Sequence, residues 1–120
     1  DKYSSNEVNF EKQAWELANQ ETTKLEVEIQ AVAFGNQAAM VFLPAEIFVE
    51  FGLQIKAHSP FPLTIVNELS NGSVSGYICT QEAYRQGGYE NRIRWYSRAP
   101  VDAGDRFVQQ ALALLADLRS

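Results

Sequence analysis

The hydrophobic pattern changes period twice in the first half of the chain. Phe10, Ala14, Leu17 and Ala18 recur at helical spacing, so a helix capped by Asn6 is expected to run to about Asn19, with Trp15 flanking its apolar face. Glu21-Thr22-Thr23 should end it. From Lys24 the period falls to two: Leu25, Val27 and Ile29 alternate with Glu26, Glu28 and Gln30, the pattern of a strand with one wet face. Gly35-Asn36 then suits a tight hairpin turn. The return strand, Gln37 to Leu43, is apolar on both faces and should lie centrally in a sheet.

Pro44 fits the first position of a helix, where its missing N–H is no loss. That helix is expected from Pro44 to about Ala57, burying Ile47, Phe48, Phe51 and Ile55, with Ser59-Pro60-Phe61-Pro62 as its stop. Leu63 to Leu69 reads as a strand parallel to 37–43, joined to it by a right-handed crossover. A turn at Ser70-Asn71-Gly72-Ser73 leads to a short apolar run, Val74 to Cys79. Thr80 caps a helical turn or two over Gln81–Gln86, which Gly87-Gly88 terminates. Arg92 to Tyr96 reads as a charged edge strand. Asp102, with Asp105 at the third position, caps a last helix whose stripe is Phe107, Ala111, Leu114, Leu115 and Leu118. The expected fold is α/β (α+β): a mixed β-sheet of about four to five strands with helices packed on it. It should include a hairpin, a strand–helix–strand crossover and a C-terminal helix, all in one domain over residues 1–120.

Composition narrows the function classes. A chain of 120 residues that is 46% hydrophobic can bury a real core. A net charge of −5, without clustered Lys and Arg, argues against a nucleic-acid partner. Cys79 is the single cysteine and His58 the single histidine, so no disulfide framework forms and any zinc site made from this chain alone would be incomplete. Spanning a bilayer as a helix takes about 20 apolar residues, and the most apolar region, 38–55, is broken by Pro44, Glu46 and Glu50. No signal-peptide pattern is present. A chain starting at Asp1 rather than Met is expected to be processed or part of something longer.

Several residues could carry chemistry, each with a plainer reading beside it. Glu46, where a central strand hands over to a helix, could ligate a metal or act as a base; a Glu in a first helical turn is also favoured by the helix dipole alone. Tyr77, at a strand end, could donate a hydrogen bond, shuttle a proton or ligate a metal, or be an ordinary strand aromatic. Gly87-Gly88-Tyr89-Glu90 would let backbone approach a ligand closely, or simply end a helix with a packed tyrosine. His58 reads as a helix C-terminal dipole partner, Cys79 as a small buried hydrophobe, and Arg92, Arg94 and Arg98 as a solvated edge or a basic face for an anion. Asn71-Gly72-Ser73 matches a glycosylation triplet, of a kind that arises often by chance.

Taken in order, Leu43-Pro44-Ala45-Glu46, the following Phe-Val-Glu-Phe-Gly, Asn71-Gly72, Tyr77-Ile78-Cys79-Thr80-Gln81-Glu82-Ala83-Tyr84 and Tyr89-Glu90 resemble the neutral/alkaline (non-lysosomal) ceramidase family, over about residues 25–118. Enzymes of that family are zinc amidases that cleave the N-acyl bond of ceramide. Their zinc is held by two upstream histidines together with one glutamate and one tyrosine. The resemblance implies that Glu46 and Tyr77 are the metal ligands of this chain. Tyr89 then looks like the catalytic tyrosine that faces the scissile amide and stabilises its oxyanion.

Two departures limit what carries over. The histidine ligands and the active-site serine segment are missing, so the chain resembles the C-terminal portion of the catalytic domain and is expected to be inactive alone. The stretch from Asn71 to Tyr77 is also one residue longer than the family spacing. The implied partners are a lipid amide such as ceramide, the upstream segment of the same parent chain, and a membrane surface; the implied location is secreted, periplasmic or cell-surface. Phe48, Phe51, Phe61, Trp95 and Tyr96 could line an alkyl-chain groove and are equally good core. The alternatives are a non-catalytic binding or interaction domain that retains only the fold, and a separate subunit that completes a site with a second chain.

Overall fold

A computed structural model describes residues 2–19, 24–72 and 76–120, with the side chains of 2–8 and 10 excepted. Its elements are α1 (Lys2–Ala18), β1 (Gln30–Phe34), β2 (Ala38–Phe42), β3 (Glu46–Ile47), α2 (Val49–His58), β4 (Leu63–Asn67), β5 (Tyr77–Ile78), α3 (Gln81–Gln86) and α4 (Ala103–Arg119). The expected helix end at Glu21-Thr22-Thr23, the Phe10 side chain, and residues Ser73 and Val74 lie outside what is described.

β2 is central, as its two-sided apolar pattern requires. The main sheet has the order β1-β2-β4, antiparallel on one side and parallel on the other. The antiparallel pair is the hairpin, whose turn puts Gly35 at φ +56, in the left-handed region that glycine enters without steric penalty. The parallel pair is joined through α2. Its register sets Ala39 beside Thr64 and Val41 beside Val66. That face, with Ala31 and Ala33, packs under α2 and α4 around Phe51, Ile55, Phe107, Ala111 and Leu115. Each large apolar side chain fully buried there contributes on the order of 1.5–3 kcal/mol. Gly104 lets the two helices meet: a Cβ on it would stand 2.0 Å from Cζ of Phe51. Arg119 Nη1 donates to the Asn36 carbonyl at 2.6 Å and so ties the end of α4 to the hairpin.

The opposite face of the sheet has no helix on it among the described residues. Val32, Met40 and Ile65 form one cross-strand row there, and Phe34, Ala38 and Leu63 the next. Phe34 and Leu63 are more than half exposed.

Five strands form, but in two sheets: β3 and β5 make a separate parallel pair. This revises the helix expected from Pro44. Residues 44–45 bend, 46–47 are strand, and α2 begins only at Val49, with Phe48 as an N-cap that makes no side-chain cap bond. Backbone bonds from Glu46 N to Gly76 O and from Phe48 N to Ile78 O, each 3.0 Å, hold the segment extended. Three other expectations shift. The paired strand is 30–34, while Leu25 and Val27 lie exposed in an unpaired stretch. α1 already includes Asn6, so that residue is inside the helix rather than its cap. Leu118 is 42% exposed and falls outside the core stripe of α4. Thr80 caps α3 as expected, accepting from Ala83 N at 3.1 Å, whereas the Asp102 carboxylate caps nothing and pairs with Arg106.

Candidate functional site

The β3–β5 pair brings the two expected metal-ligand residues together. Glu46 and Tyr77 are register partners on adjacent parallel strands, so their side chains leave the same face of the small sheet. Glu46 leads out of buried Leu43, Pro44 and Ala45, and its position is fixed by the bond to Gly76. Tyr77 N donates to Ser97 Oγ at 3.2 Å, and Gly76 N donates to the Tyr96 carbonyl. Gly76 must stay small, because a Cβ there would meet that carbonyl oxygen at 2.7 Å.

The Tyr77 hydroxyl donates to the Glu46 carboxylate. That bond and the carboxylate charge push the Tyr77 phenol above its ordinary range; slight burial, Tyr89 and Glu90 add to the rise. The helix-dipole reading of Glu46 loses its basis, since Glu46 is on a strand and the acidic residue in the first turn of α2 is Glu50. Glu68 also reaches this corner, accepting from Ile47 N at 3.0 Å.

Tyr89 joins the pair from the loop after α3. Its ring stands edge-on to that of Tyr77, with centroids 6.3 Å apart and planes at 73°. It is 57% exposed. Beneath it lies Arg94, fully buried, with Cζ 3.9 Å from the ring centroid and Nη2 donating to the Tyr89 carbonyl at 2.6 Å. The edge strand expected at Arg92–Tyr96 is instead a tight turn closed by an Arg94–Ser97 bridge, and Arg94 points into the molecule rather than to solvent. The signal that could have placed Arg94 against rings is its neighbourhood in sequence, next to Trp95 and Tyr96. Ser97 gave no signal at all.

The other candidates stand apart. His58 closes α2 with Nδ1 donating to the Gln54 carbonyl at 2.9 Å. Cys79 is buried, hydrogen bonded to Tyr84, and burial pushes both the thiol and the Tyr84 phenol up. Asn71, at φ +56, spends its amide on the carbonyls of Glu28 and Phe42, both at 3.1 Å, and so clamps the unpaired stretch to β2. An apolar groove of about 1130 Å³ runs between α1, residues 24–29 and α4, lined by Leu17, Leu25, Val27, Ile78, Ile93 and Phe107. None of Phe48, Phe51, Phe61, Trp95 and Tyr96 lines this groove: Phe51 and Phe61 are core, Phe48 packs half-buried against the core, and Trp95 and Tyr96 are exposed.

Among the described residues no three His, Cys, Asp or Glu side chains converge as a metal cluster, and no helix is long and apolar enough to cross a membrane. The oxygen pair of Glu46 and Tyr77 suits zinc in chemistry, since zinc accepts carboxylate oxygen and a phenolate is a comparable hard donor. In number it is half a set. No known family model, curated protein or solved structure matches this chain.

Proposed function

We propose that this chain is the C-terminal, metal-contributing part of a zinc-dependent, ceramidase-like amide hydrolase that cleaves the N-acyl bond of ceramide or a related lipid amide. The two histidine ligands lie upstream in the same parent chain. The observation that carries the reading is the register pairing of Glu46 with Tyr77, with Tyr89 edge-on beside them.

Glu46 and Tyr77 would hold the ion, which when bound supplies Lewis-acid polarisation and a water acidic enough to ionise near neutrality. Binding of zinc would displace the proton that Tyr77 donates to Glu46. Tyr89, exposed at the mouth, donates its hydroxyl to the amide oxygen as negative charge develops there. The groove on the other side of β5, reached through Ile78, supports a substrate with an alkyl chain.

The test is hydrolysis of a long-chain N-acyl sphingosine by the complete domain. Tyr89→Phe should lower kcat by about 100-fold or more, the usual cost of one oxyanion donor, with zinc content unchanged. Full activity in that variant would overturn the role of Tyr89.

A further inference from the structure

Arg94 is the one fully buried charged side chain among the described residues. A guanidinium is costly to take out of water unless specific contacts compensate. Tyr89 supplies part of that compensation. The cation lies 3.9 Å from the Tyr89 ring centroid, its Nη2 donates to the Tyr89 carbonyl at 2.6 Å, and the Tyr96 ring stands 5.5 Å away on the same turn. A planar guanidinium on a ring face is a directional contact, unlike the point charge of a lysine.

Tyr89 lies on an exposed loop. It is 57% exposed and follows Gly87 and Gly88, at φ +78 and +147, a hinge with wide conformational freedom. Left alone, such a ring would sample several rotamers. Tyr77 is registered by the same turn. Arg94 and Ser97 bond each other at 2.9 and 3.1 Å, Ser97 Oγ accepts from Tyr77 N, and the Tyr96 carbonyl accepts from Gly76 N. One four-residue turn therefore sets both tyrosines: Tyr77 through the backbone of β5, and Tyr89 through the Arg94 side chain.

We propose that Arg94 is a positioning residue: its buried guanidinium holds the Tyr89 ring edge-on to Tyr77, so that the Tyr89 hydroxyl meets an amide bound beside Glu46 in one orientation. The amide rests on the function proposed above; the holding of the ring does not. The effect of Arg94 on the amide is exerted through Tyr89.

NMR of the 120-residue chain tests the holding, using labelled tyrosine rings and the Arg94 guanidinium. In the unaltered chain the Tyr77 and Tyr89 ring protons should cross-relax, and the Arg94 Nε–H should carry a ring-current shift. Arg94→Met should abolish the ring–ring signal, and Arg94→Lys should restore it only in part. Tyr89→Leu, which keeps the backbone carbonyl that Arg94 binds, should remove the ring-current shift even where Arg94→Met fails to fold. An unchanged ring–ring signal in Arg94→Lys, or an unchanged Arg94 shift in Tyr89→Leu, would overturn the proposal. In the complete domain, Arg94→Lys should lower kcat about 10-fold with KM and zinc content unchanged, and should add nothing to the loss in Tyr89→Phe. Additive losses would also overturn it. A complete domain with no amide hydrolysis would instead refute the amidase reading, and the ring measurements would still decide the role of Arg94.

Discussion

Tyr77 is the residue whose ionisation reports the site. In the folded chain its proton is held by Glu46, so the folded state keeps that proton at pH values where the unfolded chain has begun to lose it. The sign follows: the contribution to stability is fully present below the ordinary tyrosine range and is lost as pH rises through the raised folded value. Glu46→Gln removes the charge and should bring Tyr77 back toward ordinary tyrosine behaviour, flattening that alkaline loss. A pH titration of ring-carbon shifts in labelled tyrosine checks it; an unmoved Tyr77 in Glu46→Gln would break the link between the two side chains. The candidate pair was legible in the sequence as residue types in order, through the resemblance. Their nearness at one end of a sheet followed from the shared metal that the resemblance implies; the separate sheet that creates it did not, because it is two strands of two residues each that meet across a long separation in the chain.

At the level of elements, the closest fit is between α2 and α4. Gly104→Ala would drive a methyl into the Phe51 ring, which is buried and cannot swing away without opening the core. Overpacking of this kind costs about 1–3 kcal/mol, and a urea unfolding midpoint should fall accordingly with its slope unchanged. A variant as stable as the parent would mean the helices separate freely. The elements themselves divide by how locally they are determined. Thr80 with Gly87, and the long stripe of α4, are set by neighbours in sequence and were readable. Pro44 before Glu46 looks like a helix start to any local reading; the bond from Glu46 N to Gly76 O settles it otherwise. Leu25, Val27 and Ile29 have the period of a strand, but the hairpin pairs only 30–34 with β2.

Across the whole molecule, the helices cover one face of the three-stranded sheet and leave the other bare among the described residues. The two faces should therefore answer differently to the same chemistry. Val41→Thr places a hydroxyl in a fully buried row and should cost about 1–3 kcal/mol, whereas Ile65→Thr, 44% exposed on the bare face, should stay under about 1 kcal/mol. Equal losses by thermal unfolding would show that the bare face is covered in solution. The two-sided apolar pattern of β2 was visible in the sequence, and so was its central place. The pattern could not say that only one side would be covered by this chain. The small β3–β5 sheet sits beside this body and carries Glu46 and Tyr77, the two oxygen donors proposed to hold zinc. The most direct measurement is the zinc content of the complete domain in three forms, by atomic emission after exhaustive dialysis. One zinc per parent domain is expected, with loss of most of it in both Glu46→Ala and Tyr77→Phe. Full zinc occupancy in both variants would contradict it.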